Sequence, residues 1–313
     1  MIKYYHTNLE NNSLQEIKEL EVGCWAYVQN PSKTELCKLA KSLEIEQKMM
    51  LSVLDQQEHP RFSENDTCKL LLLDVPVTTT DTSKPIITLP LAIFVIRDDY
   101  IVTVSLQQYT FIDHFISGDI ASFWTQKKSR FVIQLIYQIA LSYLQILEKI
   151  NKKLEFIEKK VLTSTKNEEL LELLALENSL TYIITALRSN GNVLDKILKG
   201  NVIQLFEEDE ELLEDAIIEN NQAISMADLY RDILSSTADT VATIVSNNLN
   251  SIMKFLAGIT IVFSIPTMVS SFMGMNVDLG RFGDNPFAFL LLLLISLLLS
   301  IIIALILRWK NML

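Results

Sequence analysis

The chain has 313 residues, of which 49% are hydrophobic, and a net charge of −11 at neutral pH. This acidic balance argues against a nucleic-acid-binding protein, which needs a basic face, and suits a protein that collects cations. The three cysteines Cys24, Cys37 and Cys68 follow neither a metal-binding spacing nor a paired framework, so we expect reduced thiols in a cytosolic domain.

Residues 1–128 have the pattern of a cytosolic α/β domain. The N-terminal segment has no apolar run after a basic stretch, so we predict no signal peptide. A helix is expected within Pro31 to Ile45, where apolar residues recur at helical spacing. Apolar runs bounded by Pro, Asp and Thr predict strands at Gly23 to Val28, Leu70 to Val77, Ile86 to Ile96 and Tyr100 to Ser105. The last two flank Arg97-Asp98-Asp99, a predicted hairpin turn. We expect an α/β sandwich without a nucleotide-binding glycine motif.

Residues 129–206 change to the pattern of an antiparallel helical pair. The first predicted helix carries an apolar seam typical of a coiled coil: Ile136, Ile139, Tyr143, Leu147, Ile150, Leu154, Ile157 and Val161. After a break at Thr163 to Thr165, a second helix is predicted from Glu168 to about Lys199, and Gly200 ends it. Its seam contains one polar residue, Asn190, among Leu173, Leu176, Leu180, Ile183, Leu187 and Leu194.

Residues 207–273 predict a single long stalk helix, because no proline occurs between Glu207 and Pro266 and Gly258 is the one glycine. Its last part, 255–273, carries no charge and predicts a first transmembrane span. A second uncharged segment, 287–307, is 21 residues long, which corresponds to about 30 Å of helix and to the hydrocarbon thickness of a bilayer. The two spans are joined by an outer loop at 274–286, and a basic tail follows at 308–313.

Basic residues beside the spans predict the orientation in the plasma membrane. Lys254 precedes the first span, whereas Arg308 and Lys310 follow the second. The loop between the spans contains Arg281, whose charge is offset by two aspartates. The positive-inside rule therefore places both termini in the cytoplasm.

One face of the predicted stalk helix is polar almost throughout and continues into the first span. Its heptad stripe comprises Asp232, Ser236, Asp239, Thr243, Ser246, Asn250, Met253, Ala257, Thr260, Ser264, Thr267 and Ser271. Polar groups in lipid must face protein or water. Several copies of the helix with this face inward would enclose a polar pore. The alternative is an oligomer interface of small and hydroxylated residues.

Gly274-Met275-Asn276 closes the first span, and a short loop, a second span and a basic tail follow it. With these features the chain resembles, over its whole length, the CorA family of divalent-cation transport proteins. The segments WAYVQNPSKTELCKLAKSLEI and LDQQEHPRF are similar to the soluble start of that family as well. The resemblance implies a homopentamer in the lipid bilayer that conducts Mg²⁺, with Co²⁺ and Ni²⁺ as further candidates, driven by the membrane potential. It implies no enzymatic activity and no required cofactor.

The resemblance also implies roles for individual residues. Gly274, Met275 and Asn276 would form the selectivity filter, since neutral amide oxygens accept hydrogen bonds from hydrated Mg²⁺ without stripping its waters. The pore-lining residues would be Asn250, Met253, Leu256, Ala257, Thr260, Ser264, Thr267 and Ser271. Met253 and Leu256 would form the gate. Helix capping by Asn276 and ordinary packing of Met253 and Leu256 are the alternatives.

A run of acidic residues from Glu207 to Asp215 lies at the start of the stalk helix. Acids at a helix N-terminus are commonly solvated and suit the helix dipole. In the family, acidic residues between subunits hold regulatory Mg²⁺ that favours the closed state, and counting back from Asn276 places Asp215 at such a position.

Two other functions stay open at the level of the sequence. Ser264 stands where the family often has methionine, and the outer loop reads VDLGRFGDNPF, so a zinc transporter of the same architecture is one alternative. Proton coupling of such a zinc transporter would need a titratable residue within the membrane, and the two predicted spans contain no Asp, Glu or His. The other alternative is a membrane-anchored sensor. His6, His59 and His114 are scattered, and no constellation indicates catalysis.

Overall fold

The computed structural model describes the chain except residues 9, 11, 12, 98, 162–166, 201, 276–286, 311 and 313, and except the side chains of residues 161 and 167–169. The chain divides into two compact units, Met1–Ala238 and Asp239–Leu313. The predicted break at Thr163 to Thr165 and the predicted outer loop from Asn276 onward lie outside the described residues.

The first unit is built on a seven-stranded sheet in the order β2-β1-β3-β7-β6-β5-β4. Strands β3 and β7 are parallel, and the other neighbouring pairs are antiparallel. The strands are β1 Ile2–Asn8, β2 Ser13–Ile17, β3 Trp25–Gln29, β4 Arg61–Glu64, β5 Cys68–Thr78, β6 Ile86–Ile96 and β7 Tyr100–Ser105.

The predicted strands Ile86 to Ile96 and Tyr100 to Ser105 are confirmed with their bounds, and they form the expected antiparallel hairpin. Both are almost wholly buried, which is why their apolar runs were conspicuous. Strands β1, β2 and β4 were not predicted. They lie toward the two edges of the sheet and are largely half-buried, so they carry no continuous apolar run.

Helices cover both faces of the sheet. On one face, α1 (Lys33–Ser42) and α2 (Gln47–Leu51) pack on a core that contains Ala26, Leu70 and Phe94. The helix α1 lies within the predicted segment Pro31 to Ile45, and its N-terminus is set by a capping box between Ser32 and Glu35. On the other face, alternate strand residues meet the helices α3 (Thr110–Ser117) and α4 (Lys128–Val161) in an aromatic cluster of Trp25, Phe115, Phe123 and Phe131.

Helix α4 and helix α5 (Asn167–Leu198) carry the apolar seams that the sequence shows, and the described seam side chains are buried. Helix α5 lies against β4, β5 and β6 as well as against α4, so the sheet provides part of its cover. The end of α5 is confirmed at the predicted glycine, because Gly200 adopts a left-handed backbone conformation (φ 75°) just after the helix.

The polar residue in the α5 seam, Asn190, bonds to an uncovered part of the sheet. Strand β4 pairs with β5 from Lys69 to Leu72, so the outer edge of β5 is open beyond Leu72. Asp74 lies opposite Pro90 of β6, and proline has no N–H to donate across the pair. The backbone N–H and carbonyl of Asp74 face the open edge instead. There the Asp74 N–H donates to Asn190 Oδ1 (3.0 Å) and Asn190 Nδ2 donates to the Asp74 carbonyl (2.9 Å). Asn190 thus takes the place of a missing strand partner.

Helix α6 spans Glu207–Met273 and is one continuous helix with Pro266 inside it. Within the first unit α6 runs parallel to α4. Two contacts between these helices, one near the start of α4 and one near its end, each join residues that are 79 positions apart in the sequence. These are the ion pair between Arg130 and Asp209 and the hydrogen bond from Thr237 to Glu158. The final helix, α7, spans Ala288–Trp309.

Four helices are long and apolar enough to cross a membrane, namely α4, α5, α6 and α7 in the described part of the chain. In α4 and α5, 61% and 50% of the most apolar window is buried inside the protein, whereas the corresponding share in α6 and in α7 is 6%. The apolar surface of α4 and α5 is therefore largely accounted for by the fold. The most apolar windows of α6 and α7, by contrast, are almost uncovered by the described chain.

Candidate functional site: a polar face on the apolar helix

The polar stripe predicted from the sequence lies on α6. Four of its residues, Thr260, Ser264, Thr267 and Ser271, line one shallow surface cleft of about 500 Å³. The other predicted pore-lining residues lie closer to the N-terminus of the helix and are also exposed: Asn250, Met253, Leu256 and Ala257. The exposed fractions of Met253 and Leu256 are 59% and 58%, so nothing in the described chain buries these two large side chains.

Three hydroxyl groups of the stripe donate their protons to carbonyls of their own helix. Thr260 Oγ1 donates to the Leu256 carbonyl (2.8 Å) and Thr267 Oγ1 to the Phe263 carbonyl (3.1 Å), while Ser264 Oγ donates to the Ile261 carbonyl (2.7 Å). A hydroxyl has one proton and two lone pairs, so each group keeps its acceptor sites for the outside. The face therefore presents oxygen acceptors to whatever lies against it, which suits a cation and its hydration water.

The predicted filter segment begins just beyond the C-terminus of α6. The Gly274 amide donates to the carbonyls of Ser270 and Ser271 (3.1 and 3.2 Å), and the Met275 amide donates to the Phe272 carbonyl (3.4 Å). A Cβ atom added to Gly274 would meet its nearest neighbour, the Ser271 carbonyl, at an ordinary 3.6 Å, so the described chain imposes no steric demand for glycine there. Asn276, the residue predicted to contact the ion, lies outside the described residues.

The acidic run at the start of α6 contains two kinds of carboxylate. Asp209 is buried and pairs with Arg130 (3.0 Å), whose guanidinium also donates to the Glu208 carbonyl. Glu208 pairs with Lys127 in a more exposed contact (3.3 Å). These pairs fasten the start of α6 to the start of α4. The sequence alone did not separate Asp209 from its neighbours, although the positions of Arg130 and Asp209 near the starts of two long helices could have indicated the pair.

Asp215, the predicted regulatory ligand, is exposed on α6. Glu219 lies one turn further along α6, and the negative charges of both carboxylates influence the pKa of Tyr137 on α4. Burial is the main cause that raises the pKa of Tyr137, and Glu219 and Asp215 raise it further. Among the residues that the structure describes, no three His, Cys, Asp or Glu side chains are placed to hold a metal ion. A cation at Asp215 would therefore need water or ligands from another copy of the chain.

Two of the three histidines make separate contacts within the first unit. His6 is 3.2 Å from Gln126, and His114 Nδ1 is 3.1 Å from Asp119. The cysteines Cys24, Cys37 and Cys68 are free, as expected from the sequence. Burial raises the pKa of the Cys24 and Cys68 thiols, which favours the unreactive protonated form.

Comparisons with known proteins agree with this architecture. The sequence profile of the family described as CorA-like Mg²⁺ transporter protein matches residues 21–308. The cobalt/magnesium transport protein CorA of Methanocaldococcus jannaschii is 27% identical over 309 residues, covering 96% of this chain and 93% of the relative.

Solved structures give the same result for the fold. The complete structure of the CorA magnesium transporter from Methanocaldococcus jannaschii has a TM-score of 0.82 at 23% identity and covers 99% of this chain and 96% of that chain. The structure of the soluble domain of the same protein has a TM-score of 0.67 at 25% identity and covers 76% of this chain and 95% of that chain.

The expected architecture of an α/β domain, long helices and a C-terminal apolar helix is thus confirmed. The resemblance to the CorA family is confirmed as well. The profile match extends over far more than half of the chain. This protein belongs to the CorA-like Mg²⁺ transporter family, whose members are membrane proteins that transport divalent cations.

Proposed function

We propose that this chain is the subunit of a homopentameric channel that lets Mg²⁺ enter the cell passively. Residues 255–273 of α6 and 287–307 at α7 would cross the plasma membrane, with both termini in the cytoplasm. Five copies of α6 would line the pore with the stripe from Asn250 to Ser271, and α7 would surround them. The observation that carries this proposal is the row of hydroxyl acceptors on the apolar stretch of α6, which the described chain leaves almost uncovered.

The chemistry of Mg²⁺ suits such a lining. Mg²⁺ gives up its water reluctantly, so a pore that conducts it should accept hydrogen bonds from the hydrated ion. Hydroxyl oxygens, and the amide oxygens of Asn276 at the outer mouth, can do so without binding the ion as tightly as carboxylates would. Met253 and Leu256 would form an apolar constriction nearer the cytoplasm, where loss of water closes the path.

The membrane potential is a sufficient driving force for this transport. Moving the two charges of Mg²⁺ inward across 100 mV releases about 4.6 kcal/mol. This free energy is sufficient to accumulate the ion inside the cell by more than about a thousandfold. No enzymatic step or resident cofactor is needed. Co²⁺ and Ni²⁺ would be further substrates, whereas zinc transport or signalling without transport are the alternatives that a flux measurement has to separate.

The test is ion influx into liposomes that contain the purified protein and a Mg²⁺-sensitive dye. We expect Mg²⁺ influx that increases when the interior is made negative. Zn²⁺ influx in place of Mg²⁺ influx would favour the zinc transporter, and the absence of any metal influx would favour the sensor.

Regulation by internal Mg²⁺ is the second part of the proposal. Exposed carboxylates of neighbouring subunits would repel each other, and a hard cation between them would remove the repulsion and hold the pore shut. Asp215 is the candidate ligand. Mg²⁺ sealed inside the liposomes should inhibit influx less in the Asp215→Ala variant than in the parent. If inhibition by internal Mg²⁺ is unchanged in Asp215→Ala, the sensor lies elsewhere. Glu172→Ala on α5 is the control for loss of a carboxylate and should be inhibited like the parent.

A further inference from the structure

Pro266 interrupts the hydrogen-bond ladder in the apolar part of α6. Proline has no N–H, so the carbonyl four residues earlier, that of Val262, receives no bond from its own helix at this position. In hydrocarbon a carbonyl without a partner costs several kcal/mol, and side-chain hydroxyls of neighbouring helices are one means of compensation.

A hydroxyl group on α7 lies within reach of this carbonyl. Ser300 Oγ is 3.5 Å from the Val262 carbonyl oxygen and 2.9 Å from the Ser296 carbonyl oxygen of its own helix. The hydroxyl has one proton and can serve one of the two acceptors at a time. In this structure the hydroxyl donates to the nearer acceptor, the Ser296 carbonyl, because the 3.5 Å distance to the Val262 carbonyl is long for an O–H···O bond. An approach of the two helices by about 0.5 Å would bring the Val262 carbonyl into full bonding distance.

The two helices have room for such an approach. Val262, Pro266, Ser296 and Ser300 line a common cleft of about 670 Å³, whose other walls are mainly apolar side chains such as Phe263 and Leu293. Close packing therefore does not fix the distance between α6 and α7 at this level. Ser264 and Thr267, which belong to the polar stripe, flank Pro266 on the same stretch of α6.

We propose that Ser300 is a positioning residue that supplies the hydrogen bond missing at Pro266 and so couples α7 to the hydroxyl-lined stretch of α6. Its hydroxyl exchanges between the Ser296 carbonyl, when the helices are apart, and the Val262 carbonyl, when they are close. This role rests on the proposed channel function, because the residues that it positions are those expected to contact the ion.

The test is a double-mutant cycle with Ser300→Ala and Pro266→Ala in the full-length protein. Replacing Pro266 by alanine restores an N–H that can bond to the Val262 carbonyl, so Ser300 should then have nothing to compensate. In the parent, Ser300→Ala should change the Mg²⁺ influx rate by about threefold, the factor equivalent to an average interhelical hydrogen bond of ~0.6 kcal/mol. In the Pro266→Ala background the same substitution should leave the rate nearly unchanged. In the parent background, Ser300→Thr should retain the parent rate.

Ser296→Ala is the matched control. Ser296 lies one turn earlier in the same cleft, but its hydroxyl donates to the Leu293 carbonyl of its own helix (3.0 Å). Its effect should be the same with and without Pro266. Pro266→Leu provides a second background if Pro266→Ala does not assemble, since leucine also has an N–H.

An equal effect of Ser300→Ala in both backgrounds, or no effect in the parent, would overturn this inference. If the parent protein itself carries no Mg²⁺, the proposed function fails independently. The same cycle measured on thermal unfolding of the full chain in detergent then decides the inference, because the coupling between Ser300 and Pro266 is expected there too.

Discussion

Two pairs of helices in this chain are both long and apolar enough to cross a membrane, but they have opposite surroundings. The protein itself buries 61% of the most apolar window of α4 and 50% of that of α5, whereas it buries 6% of the corresponding windows of α6 and α7. A hydropathy that is sufficient for a membrane span therefore does not by itself identify a helix that faces lipid or another subunit, because α4 and α5 reach it and are buried by their own chain. The distinction lies in whether the same chain provides a surface that matches the apolar face.

Polar residues within these helices show the same contrast. Asn190 in α5 forms two hydrogen bonds to a strand of its own chain, so its polarity is satisfied internally. Thr260, Ser264 and Thr267 in α6 donate to their own helix and keep acceptor sites that face outward. A polar position in an apolar helix is thus a structural feature in the first case and a candidate ion contact in the second.

A large effect is expected from thiol labelling along α6. In a background without the three native cysteines, Cys at positions 260, 264 and 267 should react with small water-soluble thiol reagents at least about tenfold faster than Cys at Ile261 and Ile265. Both the reagent and the reactive thiolate require water, which the pore would provide on one face of the helix only. The rates are measured in liposomes of the assembled protein, and equal rates for both sets would contradict a wetted stripe.

A smaller effect is expected from replacing Asn190 by leucine. The change completes the apolar seam, yet it leaves the Asp74 backbone groups at an open sheet edge with fewer partners. We expect the free energy of unfolding to fall by about 2 kcal/mol in urea unfolding, followed by the fluorescence of the buried Trp25.

The exposed neighbour Asn192 serves as the control for this measurement, because Asn192→Leu on the same helix should change the free energy of unfolding by less than about 0.5 kcal/mol. A stabilised Asn190→Leu variant would mean that the polar residue in the seam carries no structural role.

The sequence predicted those parts of the fold in which one local pattern dominates. Strands β6 and β7 are buried along nearly their whole length, so their apolar runs marked their bounds correctly. The edge strands β1, β2 and β4 were missed because half-buried strands mix polar and apolar residues. The role of Asn190 depends on where β4 ends and on the position of Pro90, which no local pattern reveals.

The candidate site was predictable to a different extent. The stripe on α6 followed from helical spacing alone, and in the structure its last four residues, Thr260, Ser264, Thr267 and Ser271, line one cleft. The buried pair of Arg130 and Asp209 was not predicted, because it joins residues 79 positions apart. Ser300 was overlooked as well. The rule that proline frees the carbonyl four residues earlier could have indicated a partner, but only the packing of α7 identifies which serine it is.

The most direct test of the proposed function is Mg²⁺ influx through the Asn276→Ala variant compared with the Asn285→Ala variant. Both substitutions remove one asparagine amide from the segment between the two apolar helices, and only Asn276 belongs to the Gly-Met-Asn segment. In liposomes with a negative interior, we expect Asn276→Ala to abolish Mg²⁺ influx while the oligomer still assembles, and Asn285→Ala to conduct at nearly the parent rate. Influx through Asn276→Ala at the parent rate would contradict a selectivity filter at this residue.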